Sequence, residues 1–442
     1  MQLKRPLFVS CLCCLVACQP RVDVATVPYE PDSGDIAIRC GTLIDGLSDE
    51  AIADRLIVIN NGRIAAVVRG DAELPPGMPL LELKEYTCLP GLINTHVHFD
   101  SLPEDTVDYS IFYRRTTEDN NALALDIAAT TLQTGFTTVR NCGAWFPNAI
   151  YRARTRIRAG EAPGPRIRTA GPYLTIPGGG GDLTFPEIPP DKIPIESQTG
   201  IASTPEEFAA RAADAVANGA DFLKVIASGA VFSVGVDPGV PEMTQADIEA
   251  VVGVAREAGL KVTAHVHSTQ SGKDAILSGV DSLEHASLLD DETIALAAEY
   301  DVALSMDVYN GTYTDTVGRE QGYPDEILQR NFDTTEAQRI VFEKAYASGV
   351  TILYGTDASV LPHDMGGWQF GIMVERGMAP MDAIKSATSL PAEHMGLQAD
   401  IGAIKRGRYG DLVAVRGNPL EDMLVMRDVD VVIKGGLVFK MP

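Results

Sequence analysis

Cysteine is scarce in the part of this chain that would fold. Four of the seven (Cys11, Cys13, Cys14 and Cys18) fall within the first 18 residues, leaving Cys40, Cys88 and Cys142. Three widely spaced thiols without a CxxC step offer neither a disulfide framework nor a cysteine metal site, and are expected as small buried hydrophobes. Positive charge is also in deficit, with 36 Lys and Arg against 60 Asp and Glu and a formal charge of −24. That balance argues against nucleic acid as a partner and against electrostatic docking on anionic lipid. No Gly-rich phosphate fingerprint follows the strand near residue 92, where a doubly wound nucleotide-binding sheet would need one.

What is present begins with a leader. MQLKR is a short basic segment, and PLFVSCLCCLVA an apolar run too short to act as a stop-transfer helix. It ends in Leu15-Val16-Ala17-Cys18, which resembles a bacterial lipobox with Cys18 as the lipidated residue. Gln19 at the next position favours the periplasmic face of the outer membrane; a plain secretory signal and a soluble periplasmic protein are the alternative. Residues 1–17 are thus expected as a signal peptide. Residues 18–33, rich in proline and polar groups, are expected as a tether.

With 442 residues the chain can bury a large core, as one large α/β barrel with an accessory domain or as two to three smaller domains. Short alternating strands fill Ile36 to Leu89, with Asn61-Gly62 as a hairpin signal. The same style returns in DLVAVRGNPLEDM and VDVVIKGGLVFK, with Gly435-Gly436 as the second turn. Neither piece has enough strands to stand alone, so residues 34–89 and 400–442 are expected to build one small β-sandwich from both termini. Between them, candidate strands at 92–98, 137–143, 166–174, 222–229, 261–268, 282–287, 303–308 and 352–358 alternate with helical patterns such as 205–218 and 244–258. Thr244 and Asp247 stand at N-cap spacing for the latter. Eight strands with intervening helices predict a (β/α)8 TIM barrel over residues 90–399. The segment 177–200, which follows the third strand, is expected to lie over the pocket or else to be a surface insertion.

The residues that carry chemistry sit at the ends of these strands. LPGLINTHVHFD ends in His96 and His98, two apart in a strand and so able to aim at one point. Lys224 interrupts the otherwise apolar FLKVIASG; AHVH holds His265 and His267, DSLEH holds His285, and YGTDA holds Asp357. Five of seven histidines occupy such positions, and a barrel brings all strand ends to one mouth. His363 and His394 fall outside the pattern and read as structural. A buried lysine must be paired, shifted or modified. Ringed by ligand-type side chains, Lys224 is a candidate carbamate, carboxylated on Nζ, whose two oxygens could bridge two metals.

These segments, with GFTTVRNCG and the tail GMAPMDAIKSATSLPAEHMGL, resemble the metal-dependent amidohydrolase superfamily over about residues 36–440. The branch is that of imidazolonepropionase-like and prolidase-like (Xaa-Pro or Xaa-Arg/Lys dipeptidase) enzymes, with ochratoxin-hydrolysing amidohydrolases also similar. The resemblance implies two divalent metals, zinc by preference. One would be held by His96, His98 and Asp357, the other by His265 and His285, with carboxylated Lys224 between them. It implies a bridging hydroxide as nucleophile, Asp357 as proton shuttle and His267 as a partner of the oxyanion or substrate.

Arg140, at the end of the second strand, is a candidate for a substrate carboxylate or else a structural ion pair; Tyr173 and Tyr309 are candidate pocket residues. The sequence departs from the family in reading IPGGGGD without a histidine, in Asn141 where an Asp is frequent, and in Val231-Phe232 where a Tyr is frequent. The expected activity is hydrolysis of an amide or peptide C–N bond in a dipeptide or an N-acyl or aryl-acyl amino acid. A cyclic amide or lactone hydrolase, and a non-catalytic binding lipoprotein at the surface, are the alternatives. Expected partners are a small-molecule substrate, a membrane through the lipid anchor alone, no nucleic acid, and a homo-oligomer as an open option.

Overall fold

In the computed structural model the residues described are 34–184, 188–232 and 236–442. The expected signal peptide, the tether and Cys18 lie outside them.

Both chain ends contribute alternating strands to a single sheet. Strands β1 (Ile36–Leu43), β2 (Ile52–Asn60), β3 (Arg63–Arg69) and β4 (Leu80–Pro90) come from the N-terminal side. Eight further strands, β5 to β12, belong to the middle of the chain: Leu92–Val97, Phe136–Asn141, Arg166–Thr169, Leu223–Ile226, Val262–Val266, Ser282–His285, Ala303–Met306 and Ile352–Tyr354. β13 (Leu412–Arg416), β14 (Val431–Lys434) and β15 (Leu437–Lys440) then complete the terminal sheet in the order β15-β14-β13-β4-β1-β2-β3. The turn after β2 holds Asn61 and Gly62 at φ +49° and +72°, and that after β14 holds Gly435 and Gly436 at +57° and +78°. Two consecutive positive φ values make a hairpin turn whose twist matches its strands, which is why these dipeptides mark it. β13 lies antiparallel to β4, Val413 opposite Leu89, so the C-terminal piece is sewn to the N-terminal one. Ile38, Ile57, Leu83, Leu412 and Ile433 share the buried core between them.

The cysteines correct an expectation. Cys40 of β1 and Cys88 of β4 form a disulfide with Cα atoms 6.0 Å apart, and among the described residues Cys142 alone is free, and it is buried. Spacing along the chain could not show this, because it depends on β1 and β4 being neighbours in the sheet. Closing a loop of 48 residues removes chain entropy worth about 4 kcal/mol from the unfolded state.

The middle strands are all parallel and form a three-stranded sheet, β5-β6-β7, and a five-stranded one, β8 to β12. Bridges at Leu174–Val225 and Val97–Ala358 connect the two sheets on both sides, a TIM-barrel-like arrangement. All eight predicted strands are present but end earlier than expected. β7 stops at Thr169 because Gly171 turns to φ +77° and Pro172 has no N–H for the ladder. Helices α1 (Thr117–Gln133), α2 (Pro147–Arg158), α3 (Pro205–Ala217), α4 (Gln245–Ala258), α5 (Thr269–Ser278), α6 (Asp291–Glu299), α7 (Asn310–Gln321) and α8 (Asp325–Ala347) lie between or after them. Thr244 caps α4 as predicted: its hydroxyl oxygen accepts from Asp247 N–H, and the Asp247 carboxylate accepts from Thr244 N–H. Among the described residues of the segment 177–200 are 3₁₀ turns at Pro190–Lys192 and Ile195–Gln198, which its composition did not suggest. Among the described residues no helix is long and apolar enough to cross a membrane.

Peptide mapping without reduction is expected to recover Cys40 and Cys88 cross-linked, with Cys142 alkylated only after unfolding. Replacing both linked cysteines by alanine is expected to lower stability by about 2–4 kcal/mol in a denaturant titration.

Candidate metal centre

Parallel strands deliver their C-terminal ends to one face, and the predicted residues meet there. His96 on β5 and His98 just beyond it bring their Nε2 atoms to 3.2 Å. Asp357 Oδ1 lies 3.4 Å from the first and 3.1 Å from the second. On the adjoining side His265, His267 and His285 gather their ring nitrogens into a second cluster. The clusters touch, since the His96 and His285 ring centroids are 4.9 Å apart and those of His265 and His285 4.4 Å. Lys224, only 1% exposed, is buried at the same place. Its Nζ has no hydrogen-bond partner among the described residues.

Which nitrogen of each ring faces inward follows from what the other one touches. His98 Nδ1 is 3.0 Å from the carbonyl oxygen of Gly143, which can only accept, so Nδ1 carries the proton and Nε2 a lone pair. His96 Nδ1 lies 2.8 Å from Glu284 Oε2 in a bent contact that avoids opposed lone pairs only with the proton on Nδ1. His285 Nδ1 is held by Asp307 Oδ1 at 3.1 Å, and His265 Nε2 by Gly229 O at 3.3 Å, which leaves His285 Nε2 and His265 Nδ1 as acceptors. Lone pairs of His96, His98 and the Asp357 carboxylate therefore converge, as do those of His265 and His285 in the second cluster. Convergent acceptors without donors repel, and a divalent cation in each group is what this chemistry fits.

Electrostatics agree. Burial, reinforced by the Lys224 charge, pulls His96 down to about 4. Burial and the neighbouring His285 hold His265 well below the usual histidine range, and burial with His285 lowers His267 to about 3. Three of the imidazoles are thus neutral at physiological pH. Burial opposes ionisation of Glu284, but Arg140 and His96 outweigh it and keep the carboxylate charged.

The backbone is bent to make this possible. His285, Ala286 and Asp357 hold φ of +66°, +56° and +50°, each costing on the order of 1 kcal/mol for a residue with a Cβ. Cross-links keep them there: Ala286 N–H donates to Val266 O at 2.8 Å, and Asp357 N–H to His96 O at 2.8 Å.

Two further candidates lie away from the cleft. Of the two readings of Arg140, the structural ion pair is the one found. Arg140 is 3% exposed, its Nη2 pairs with Glu284, and its Nε donates to Thr95 O at 2.7 Å. It neutralises the carboxylate that orients His96, from beneath the site. Tyr309 starts α7 but turns into an apolar cluster with Tyr313 and Leu361, its ring 5.8 Å from that of Trp368, and lines no part of the cleft among the described residues.

Tyr173 does line the cleft, with its hydroxyl 2.8 Å from His98 Nδ1. His267 stands in the second cluster as a third imidazole, and its Nδ1 meets Ser287 Oγ at 2.9 Å. His394 contacts Arg140 at 3.4 Å, and His363 packs edge-on against Phe99. Asn141 is a splint, accepting from Phe99 N–H and donating to Gly143 O. The residues that sequence reasoning passed over are Glu284 and Asp307. The rule that singled out Lys224, a charge inside an apolar strand, applies equally to Glu284 in SLEH.

The cleft has two lobes that meet at His265, His285 and Asp357. The first, about 690 Å³ with its open mouth, has an aromatic wall of Tyr109, Phe112, Trp145 and Phe232. The second, about 490 Å³, is lined by Ser287, Asp307, Asn310, Asn331 and Gln338. Gly180 of the 177–200 segment borders the first lobe, and its N–H donates to Glu242 at 3.0 Å.

Comparison with known proteins agrees with this geometry. The model of the amidohydrolase family matches residues 87–438. An ochratoxinase from Aspergillus niger is 28% identical over 428 residues, covering 92% of this chain and 86% of that protein. The crystal structure of a Xaa-Pro dipeptidase with methionine bound in its active site superposes with a TM-score of 0.84 at 33% identity, over 92% of this chain and 100% of that one. The A. niger ochratoxinase crystal structure gives 0.79 at 26% identity, over 93% and 96%.

Glu284→Gln is expected to weaken metal affinity about 10–100-fold, as for other residues that orient a ligating histidine; competition with a chelator measures it, and unchanged affinity would refute the orienting role. Glu242 yields a pH test. Burial raises its carboxyl from 4.5 to about 7, the Gly180 N–H opposing only in part. The folded state then holds a proton that the unfolded chain has lost. The contribution to stability is therefore full below about 4.5 and lost as pH rises through about 7. Glu242→Gln should flatten stability against pH across that window.

Proposed function

The chain belongs to the amidohydrolase family, and on that premise we propose that it is an exported metal-dependent enzyme cleaving the C–N bond of a dipeptide or of an N-acyl or aryl-acyl amino acid. That it is a hydrolase acting on C–N bonds rests on the family and on its ochratoxinase and dipeptidase relatives. The observation that carries the finer reading is the paired set of inward lone pairs around an unpartnered buried lysine.

His96 Nε2, His98 Nε2 and Asp357 would hold one divalent cation, zinc by preference. His265 Nδ1 and His285 Nε2 would hold a second, and Lys224, carboxylated on Nζ, would stand between. Bound there, the pair would supply Lewis acidity and a water acidic enough to attack at neutral pH. The chain's own groups do the rest. Asp357 takes the proton of the attacking water and returns it to the leaving nitrogen, so that amide and water give acid and amine. Ser287 donates to His267 Nδ1, which turns an Nε2–H toward the acyl oxygen. Tyr173 accepts from His98 Nδ1–H, since that nitrogen already donates to Gly143, and its own O–H proton is left to meet the substrate. The aromatic lobe takes the acyl group, which is what supports an aryl-acyl substrate.

The two parallel sheets close as one eight-stranded barrel over residues 90–399, and the terminal sheet forms a sandwich. Cys18 anchors the protein by lipid at the periplasmic face of the outer membrane. The Cys40–Cys88 disulfide supports an oxidising compartment.

The test is release of free amino acid from a library of dipeptides and N-acyl amino acids. Asp357→Asn is expected to lower kcat at least about 10³-fold while metal is still bound. Near-normal turnover in that variant would remove the proton shuttle from the account.

A further inference from the structure

Away from His267, the second lobe of the cleft presents side-chain acceptors. At its floor Asn310 Nδ2 donates to Asp307 Oδ2 at 2.8 Å. This contact fixes the amide's orientation, because the flipped group would set its oxygen against the carboxylate. Asn310 Oδ1 is then left without a hydrogen-bond partner among the described residues, on a side chain whose residue is 7% exposed and lines the lobe. A buried acceptor without a donor costs roughly 1–3 kcal/mol, so the fold keeps it against a penalty.

The donors around it are engaged elsewhere. Gln338 Nε2 donates to Asp307 Oδ1 at 2.7 Å and to His285 O at 3.1 Å, and Asn331 Nδ2 to Asp315 at 2.8 Å and Gly311 O at 3.2 Å. The hydroxyls of Thr334 and Thr335 turn their protons to carbonyls of their own helix, Arg330 O at 2.8 Å and Asn331 O at 2.6 Å. What these groups show the lobe is oxygen.

We propose that this lobe reads the amine side of the substrate through N–H donors, and that Asn310 is a specificity-determining residue selecting a carboxamide terminus over a free carboxylate. The proposal rests on the amide-hydrolase reading and moves its preferred substrate from the N-acyl amino acid to the corresponding carboxamide. A carboxylate would bring two more acceptors to a floor already made of them, whereas a carboxamide brings the N–H that Asn310 Oδ1 lacks.

The test compares an aryl-acyl amino acid with its carboxamide in the metal-loaded full protein. Wild type should favour the carboxamide in kcat/KM by about tenfold or more, one hydrogen bond's worth of discrimination. Asn310→Ala should bring the ratio close to one. Comparing two substrates within one variant cancels any general loss at the centre, and metal analysis of the variant checks that His285 is still in place. Equal or better use of the carboxylate by wild type would overturn the proposal, as would a ratio that Asn310→Ala leaves alone. If neither compound is turned over, the amide-hydrolase reading is what has failed. Thermal-shift binding of the same pair then decides the lobe: carboxamide stabilising wild type but not the Asn310→Ala variant supports it, and equal effects refute it.

Discussion

The site depends on a buried ion pair that touches no reactant. Arg140 and Glu284 are enclosed in the interior beneath the cleft, and the far oxygen of Glu284 faces His96 Nδ1. Two charges held out of water are stable only with each other; removing one partner typically costs 3–5 kcal/mol. Paired, they do something a neutral core could not. They put the His96 proton on its outer nitrogen, and so direct a lone pair inward. Asp307 does the same for His285, and the carbonyls of Gly143 and Gly229 do it for His98 and His265. Without these outer contacts the rings would be free to turn, and the acceptors would separate to relieve their repulsion.

This arrangement also explains why the backbone tolerates left-handed conformations where it does. His285, Ala286 and Asp357 are strained residues at the points where chain direction must change at once after a barrel strand. The bridge between β5 and the segment after the eighth barrel strand, with His98 N–H donating to Ala358 O at 2.9 Å, holds His96, His98 and Asp357 in register from both sides. Strain at three residues is small beside the ordering that the whole barrel supplies.

Much of this was legible in the sequence, and the reasons separate cleanly. Barrel strands and their terminal histidines could be read because period, spacing and a fixed face for strand ends are local rules, and His96, His98, Lys224, His265, His285 and Asp357 do meet. Contacts set by neighbours distant in sequence were not legible. Cys40 and Cys88 needed the sheet order, and Arg140 needed the knowledge that its side chain points down into the barrel toward Glu284. Tyr309 failed for a related reason: sitting near a strand end does not decide which way a ring turns, and an apolar cluster with Trp368 captured it. Glu284 was within reach of the rule already applied to Lys224. The polarity of the second lobe was beyond sequence reasoning, since it depends on which donors are spent in contacts across four elements.

Two divalent cations are expected, one in each cluster of inward lone pairs. Elemental analysis of the native protein, purified without chelator, tests that most directly. Two divalent metals per chain is the result expected; one metal, or none after exposure to zinc, would contradict a dinuclear centre and return Lys224 to being an unexplained buried charge.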